Sequence, residues 1–218
     1  MIDKSPEQTV EEICNVVRLD GKIILEVGCG DGRLTDLLAK HASEIYAIDP
    51  NADSVAIARQ AVPTADIRIG SGEALPFEEV QFDLVLFTLS LHHHPNPLNA
   101  LHEAYRVLKQ DGTIVIIEPV YDGEIEVVFG FINDETDVLN QTQDILKDSQ
   151  YSIAQETIFL ADWLFDDIED VVSSVFGFYD LEVDPSIAEN IKAYLGSKTV
   201  MKPLVLKDKL RVQTIEKG

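Results

Sequence analysis

Ile23-Ile24-Leu25-Glu26-Val27-Gly28-Cys29-Gly30-Asp31-Gly32 runs an apolar strand into a glycine turn, and a helix-like stretch follows it. Glycines at such a junction let the backbone approach a ligand closely, and the unpaired N–H groups of the following helix favour an anionic group. Glu26, just before the turn, would repel a pyrophosphate and attract an ammonium or sulfonium. The junction therefore suits a nucleotide with a zwitterionic amino-acid tail better than a dinucleotide. A dinucleotide fingerprint starting at Gly28 would also want glycine at position 33, where Arg33 stands.

Working outward, strands alternate with helices. A helix from Pro6 to Leu19 precedes the strand Lys22–Val27; then come a helix over Gly32–His41, a strand at Ile45–Asp49, a helix at Ala52–Ala61 and a strand at Asp66–Ile69. A strand at Phe82–Thr88, a helix at Pro97–Leu108 and a strand at Thr113–Glu118 complete the regular half. Beyond it the pattern predicts helices near Asp137–Lys147, Asp167–Phe176 and Pro185–Leu195, with strands near Ile153–Leu164 and Leu206–Thr214. This order implies an α/β fold: a Rossmann-like, doubly wound, seven-stranded and mostly parallel sheet with helices on both faces. Ligands of such sheets lie at the carboxyl ends of the strands, so Glu26, Asp49, Ser71, Thr88 and Glu118 should share one edge. The expected organisation is one domain over 1–218, with a cofactor core at 22–118. An acceptor-side insertion at 121–200 would supply helices over the site.

The chain has 218 residues, 45% hydrophobic, and a formal charge of -22 from 39 acidic and 17 basic residues. That charge argues against a nucleic-acid partner, which needs a basic surface. Two cysteines, no signal peptide and no long apolar run imply a soluble cytoplasmic protein without membrane insertion. Residues 121–190 carry 18 Asp/Glu against Lys147 alone. Trp163, Leu164, Phe165, Val171, Val172 and Phe176 recur through this stretch, which reads as a folded, solvated face.

Asp49 ends the second strand 19 residues after Gly30. At that separation an acidic residue accepts hydrogen bonds from a ribose diol, although one at a strand end can also serve a turn or a helix cap. Five segments in order carry a further signal: Leu25 to Leu34, Asp49-Pro50, Gly70-Ser71-Gly72-Glu73-Ala74-Leu75-Pro76-Phe77, Phe82-Asp83-Leu84-Val85 with Leu91-His92-His93-His94-Pro95-Asn96-Pro97, and Glu103 to Lys109. Together they resemble the class I S-adenosylmethionine-dependent methyltransferases, in particular the small-molecule branch that includes quinone-biosynthesis enzymes. The resemblance implies S-adenosylmethionine as cofactor. Gly28, Cys29 and Gly30 would pass under its methionine part, with Glu26 turned toward the ammonium, and Asp49 would hold the ribose. Pro50 or Asn51 would pack on the adenine, Gly72 and Glu73 would lie along its edge, and Thr88 would offer backbone groups to the amino-acid tail. Where the family often has Asp to receive the adenine amino group, this chain has Ser71, a weaker uncharged acceptor.

A sulfonium methyl is already activated, so transfer needs mainly in-line positioning and exclusion of water. The Asn/Asp-Pro-Pro-Tyr/Phe signature of base-methylating relatives is absent, since Phe87-Thr88-Leu89-Ser90 stands there, and exocyclic amines of DNA bases fall away as substrates. Among His92, His93 and His94, His93 is the candidate general base, because its equivalent in the resembled motif borders the site. The alternative is a loop and first helical turn with one ring packed on the cofactor. Three adjacent side chains diverge, so no metal is expected. Glu118 reads as a structural carboxylate paired to backbone, and Cys29 as a small turn residue. A small-molecule methyl acceptor follows, neutral or cationic rather than anionic given the acidic insertion. A nicotinamide-dependent oxidoreductase is disfavoured by Glu26 and Arg33; a catalytically silent cofactor-binding regulator stays open.

Overall fold

Period-2 alternation explains why the central strands stay inside. In β2 (Ile23–Val27), β5 (Phe82–Thr88) and β6 (Leu108–Pro119), both sets of alternate side chains are apolar. Ile24, Leu84, Leu86, Val115 and Ile117 pack on one face of the sheet, and Leu25, Val85, Phe87, Ile114 and Ile116 on the other. Strands apolar on both sides need two covers. The first face takes α1 (Ser5–Val16) and α2 (Arg33–Leu38) through Val10, Ile13, Leu34 and Leu38. Beside them, α3 (Ala52–Ala61) seats Val55 and Ala58 against Ala47 and Ile67 of β3 (Glu44–Asp49) and β4 (Asp66–Ile69). The second face takes α4 (Pro97–Val107) through Leu101 and Ala104, and α6 (Thr136–Asp148) through Leu146.

The computed structural model describes residues 2–3 and 5–218, with side chains from residue 5 onward. Its sheet has the order β1-β7-β8-β6-β5-β2-β3-β4, in which β1 is Ile2–Asp3, β7 is Ile153–Phe165 and β8 is Leu204–Glu216. The five strands β2 to β6 run parallel, whereas β8 pairs antiparallel with both β6 and β7. This is the expected mostly parallel seven-stranded sheet with one addition, the two-residue β1 paired to Trp163 and Leu164. Among the described residues no helix is long and apolar enough to cross a membrane.

Beyond β6, the chain adds α5 (Glu124–Gly130), α7 (Ile168–Phe178) and α8 (Pro185–Leu195). Ile125, Val128, Val172, Phe176 and Ile191 pack on Phe165, Leu204 and Leu206 in a second apolar cluster. α7 is capped by Asp167, which accepts from the N–H groups of Glu169 and Asp170, and α8 by Asp184, with Pro185 at its first turn. Acidic residues in this stretch thus do local structural work as caps as well as facing solvent. The sequence reading missed α5, whose seven residues follow directly on β6.

Gly28 is sterically compelled at the turn. Gly28 has φ +82, and a Cβ there would overlap the side chain of Ser90, whose hydroxyl donates to Val27 O at 2.6 Å. Gly28→Ala combines a left-handed backbone with an overpacked contact, and is expected to lose about 2–4 kcal/mol of stability. Urea unfolding checks this; a midpoint within error of the parent would show that the turn relaxes freely.

Candidate active site

The carboxyl ends of the parallel strands open into a cleft of about 650 Å³, inside the roughly 300–1,000 Å³ span of small-molecule sites. Val27, Gly28 and Gly30 form its floor, Asp49 and Pro50 one wall, and Gly70, Ser71 and Gly72 another. A narrower extension of about 190 Å³ runs from Gly28 and Gly30 past Glu26, Cys29 and Thr88 to Ser5, Pro6 and Thr9 of α1. Nine of the ten expected cofactor residues, all but Glu73, therefore line one of these two connected spaces. The Glu73 carboxylate instead accepts from Asn96 N at 2.7 Å, which fastens the start of α4. The Ser71 hydroxyl is exposed and accepts from Glu73 N at 3.2 Å.

The glycine turn differs from its sequence reading in one respect. Gly28 and Cys29 both donate to Ile48 O, Gly30 donates to the Asp49 carboxylate at 2.9 Å, and Gly32 donates to Cys29 O. These four N–H groups are already bonded, so a pyrophosphate would find none of them free. The other Asp49 oxygen accepts from Asn51 N at 2.8 Å. Each carboxylate oxygen retains a second lone pair for an outside donor.

Glu26 also departs from expectation. It is buried, accepts from the Thr35 hydroxyl at 2.5 Å, and its pKa is pushed up to about 8, mainly by burial, against the Thr35 bond and with help from Asp49 and Asp31. The expected standing negative charge is thus suppressed at neutral pH. An arriving cation would restore it, because a nearby positive charge favours ionisation. Burial, then Glu26 and Asp49, pushes the Cys29 thiol up to about 12, consistent with a turn residue and not a thiolate nucleophile.

A second chamber of about 250 Å³ adjoins the cleft, sharing Arg33, Leu89, His93 and Phe178 with it. Its deepest feature was not the histidine picked from sequence. His92 is buried, with Nδ1 on the Glu118 carboxylate and Nε2 3.5 Å from Glu135. Burial alone would lower its pKa, but the bonds to Glu118 and Glu135 outweigh burial and hold it at about 10. Glu118 also accepts from Leu91 N at 2.8 Å, as its structural reading required. His93 is exposed, its ring 3.9 Å from that of His92 by centroids, and its pKa is lowered by partial burial and then by the His92 charge. The His94 Nδ1 lies 2.9 Å from Ser90 O, beside the cleft. The sheet register brings His92 to its partner: Thr88 pairs with Ile117, which puts Glu118 beside the turn after β5.

Comparison with known proteins fits this arrangement. Residues 25–116 match the model of a family described as a methyltransferase domain. That match covers the parallel half of the sheet and less than half of the chain. An uncharacterised methyltransferase of Schizosaccharomyces pombe is 36% identical over 103 residues, 47% of this chain and 41% of the relative. A ubiquinone biosynthesis O-methyltransferase of Alkalilimnicola ehrlichii is 32% identical over 102 residues, 44% of this chain and 41% of the relative. These matches span about two fifths of the relatives' length. A solved putative methyltransferase from Bacillus halodurans has the same fold, with TM-score 0.70 and 17% identity over 97% of this chain and 99% of that one.

S-adenosylmethionine is the cofactor that this similarity implies, and the residues fit it. No heavy atom lies within 4 Å of where a Gly30 Cβ would stand, so the turn leaves room for a ligand. The buried Thr88 hydroxyl and Trp163 indole N–H, on the wall of the extension, have no hydrogen-bond partner among the described residues. Glu26 supplies a pH test. Its carboxyl sits near pH 8 when folded, against about 4.3 in an unfolded chain. The folded state then holds the extra proton between these values, and stability falls as pH rises through that window. Glu26→Gln should lessen the fall, so that its melting temperature gains on the parent's from pH 5 to pH 8. Parallel curves in thermal unfolding would reject the buried, protonated Glu26.

Proposed function

We propose that the protein transfers the methyl group of S-adenosylmethionine to a small-molecule acceptor, neutral or cationic rather than anionic. The whole chain is read as one domain, with 22–118 as the cofactor core and 121–200 as the acceptor side, working in the cytoplasm. The observation that carries this reading is the junction of two chambers. A cleft floored by the glycine turn and bounded by Asp49 meets a second cavity at Leu89, His93 and Phe178. Cofactor and acceptor would each have a chamber, with the reacting atoms at the shared wall.

Bound, the cofactor supplies a methyl group already activated on a sulfonium. The rest is positioning. Asp49 would accept from the ribose hydroxyls through its unused lone pairs, Pro50 and Gly72 would flank the adenine, and Ser71 would meet the adenine edge. Glu26, Cys29, Gly28 and Thr88 would line the space for the amino-acid tail. An acceptor lone pair forms the bond to the methyl carbon while the carbon–sulfur bond breaks, its electron pair staying on sulfur. Where the acceptor must lose a proton, His93 would take it. Its lowered pKa keeps the ring neutral and receptive near physiological pH.

Two measurements test this. Calorimetry should find micromolar binding of S-adenosylmethionine and of its demethylated product, with no competition from NAD, and Asp49→Ala should cost on the order of 2–4 kcal/mol of that binding. Since Asp49 also fastens Gly30 and Asn51, thermal unfolding of the variant runs alongside. Unchanged affinity in a folded variant would reject the ribose assignment. In hydrogen exchange, the cofactor product should raise protection in α1 and in segments of 121–190 that border the chambers; no change in either would reject a cover over the site.

A further inference from the structure

The acceptor chamber is walled by rings and carboxylates in a combination that the methyl-transfer chemistry does not require. Phe129 stands at the centre of an aromatic group, 6.0 Å from Trp163, 5.4 Å from Phe178 and 6.3 Å from Tyr179 by ring centroids. Phe178 and Tyr179 meet edge to face at 5.1 Å. All four rings line the chamber, and they come from α5, β7 and the end of α7. Glu126, three residues before Phe129 on α5, and Glu135 line the same chamber.

The two carboxylates differ in their partners. Glu135 has His92 and the Asn133 side-chain amide. Glu126 is half-buried on the same cavity and makes no hydrogen bond or ion pair with any described residue. Burial, followed by the nearby Glu135, pushes its pKa up to about 7, and the His92 charge only partly opposes this. The cationic groups on the cavity wall are otherwise engaged. His92 is held by its two glutamates, and the Arg33 Nε lies 3.3 Å from Asp31. A half-buried carboxylate without a partner beside four aromatic faces is an arrangement completed by a desolvated cation, which ring quadrupoles and a carboxylate both attract.

We propose that this chamber binds an alkylammonium group, with Glu126 as its counter-ion and Phe129, Trp163, Phe178 and Tyr179 as its walls, so that the methyl acceptor is a small amine or carries one. The inference rests on the acceptor reading given above and narrows it to a chemical class. It also makes Glu126 a specificity-determining residue, distinct from His93 at the reacting edge. The His92, His93 and Glu135 ligand atoms lie within 4.8 Å of one another, so a divalent metal is the competing occupant. The proposal assigns the positive charge to the ligand instead, because both His92 ring nitrogens already face carboxylates.

The test is calorimetry on the full chain with choline and with its uncharged carbon isostere, 3,3-dimethylbutan-1-ol, beside a separate titration of S-adenosylmethionine. Choline should bind at least about tenfold more tightly than the alcohol. Glu126→Gln should remove most of that preference while leaving the alcohol's affinity unchanged, and Trp163→Leu should weaken choline by a further measurable factor. Melting curves establish that each variant folds, and Glu126→Asp, which keeps the charge, should retain part of the preference. Equal binding of the two probes, or a preference that survives in folded Glu126→Gln, would overturn the proposal. So would saturable zinc binding that displaces choline and is lost in His92→Gln. Cofactor binding without choline binding would sink the amine site alone. Choline binding without cofactor binding would support the amine site and sink the methyl-transfer reading.

Discussion

Glu118 is a carboxylate buried at the end of a central strand, and a charge in that position must be answered locally or the sheet pays a desolvation cost of several kcal/mol. It is answered by Leu91 N and by the His92 ring, both on the turn that follows β5. That pairing fixes the turn, and the turn fixes three things at once. His92 is held inward to reach Glu135, His93 is presented at the wall between the chambers, and His94 is turned beside the cleft. The second chamber is thus tied to the sheet by hydrogen-bonded charge, whereas the cleft is tied by hydrogen bonds from the glycine turn to Ile48 O and the Asp49 carboxylate.

The two sides differ in how openly they are written in the sequence. Strong periodicity made α3, β4, β5 and α8 readable to their end residues, and the glycine turn with Asp49 gave the cleft its location. Both depend on local pattern or on short, fixed spacings. α5 was unreadable for the opposite reason: its seven residues are too few to display a helical period, and it is held by tertiary contacts, the packing of Ile125 and Val128 on Leu204 and Leu206 and the bonds of Glu124 to Lys198 and Lys207 N. β1 is shorter still and exists through its partner β7.

Electrostatics was the least legible part. In the sequence, Glu26 is simply a carboxylate before a turn. Burial, outweighing the Thr35 hydroxyl that bonds it, converts it into a group near the midpoint of its titration at slightly alkaline pH. The choice among three consecutive histidines likewise depended on which one met a carboxylate from a neighbouring strand and another from the segment before α6. Sequence spacing across 26 or 43 residues does not announce such meetings; only the sheet register does. The aromatic group around Phe129 is a third case, assembled from three elements that alternation of strands and helices says nothing about.

The position of β8 has a consequence for how the chain can reach this structure during synthesis. β8 lies between β6 and β7, and β7 touches the rest of the sheet through β8, apart from the two residues of β1. Strands β2 to β6 can pair with one another as soon as residue 119 is available, which gives the nucleotide half its own early nucleus. β7 cannot join them until residues 204–216 arrive. The long acidic run of 121–190 is therefore emergent but without its sheet partner for much of translation, and a surplus of like charge is a protection in that interval, keeping its exposed apolar residues from associating with other chains.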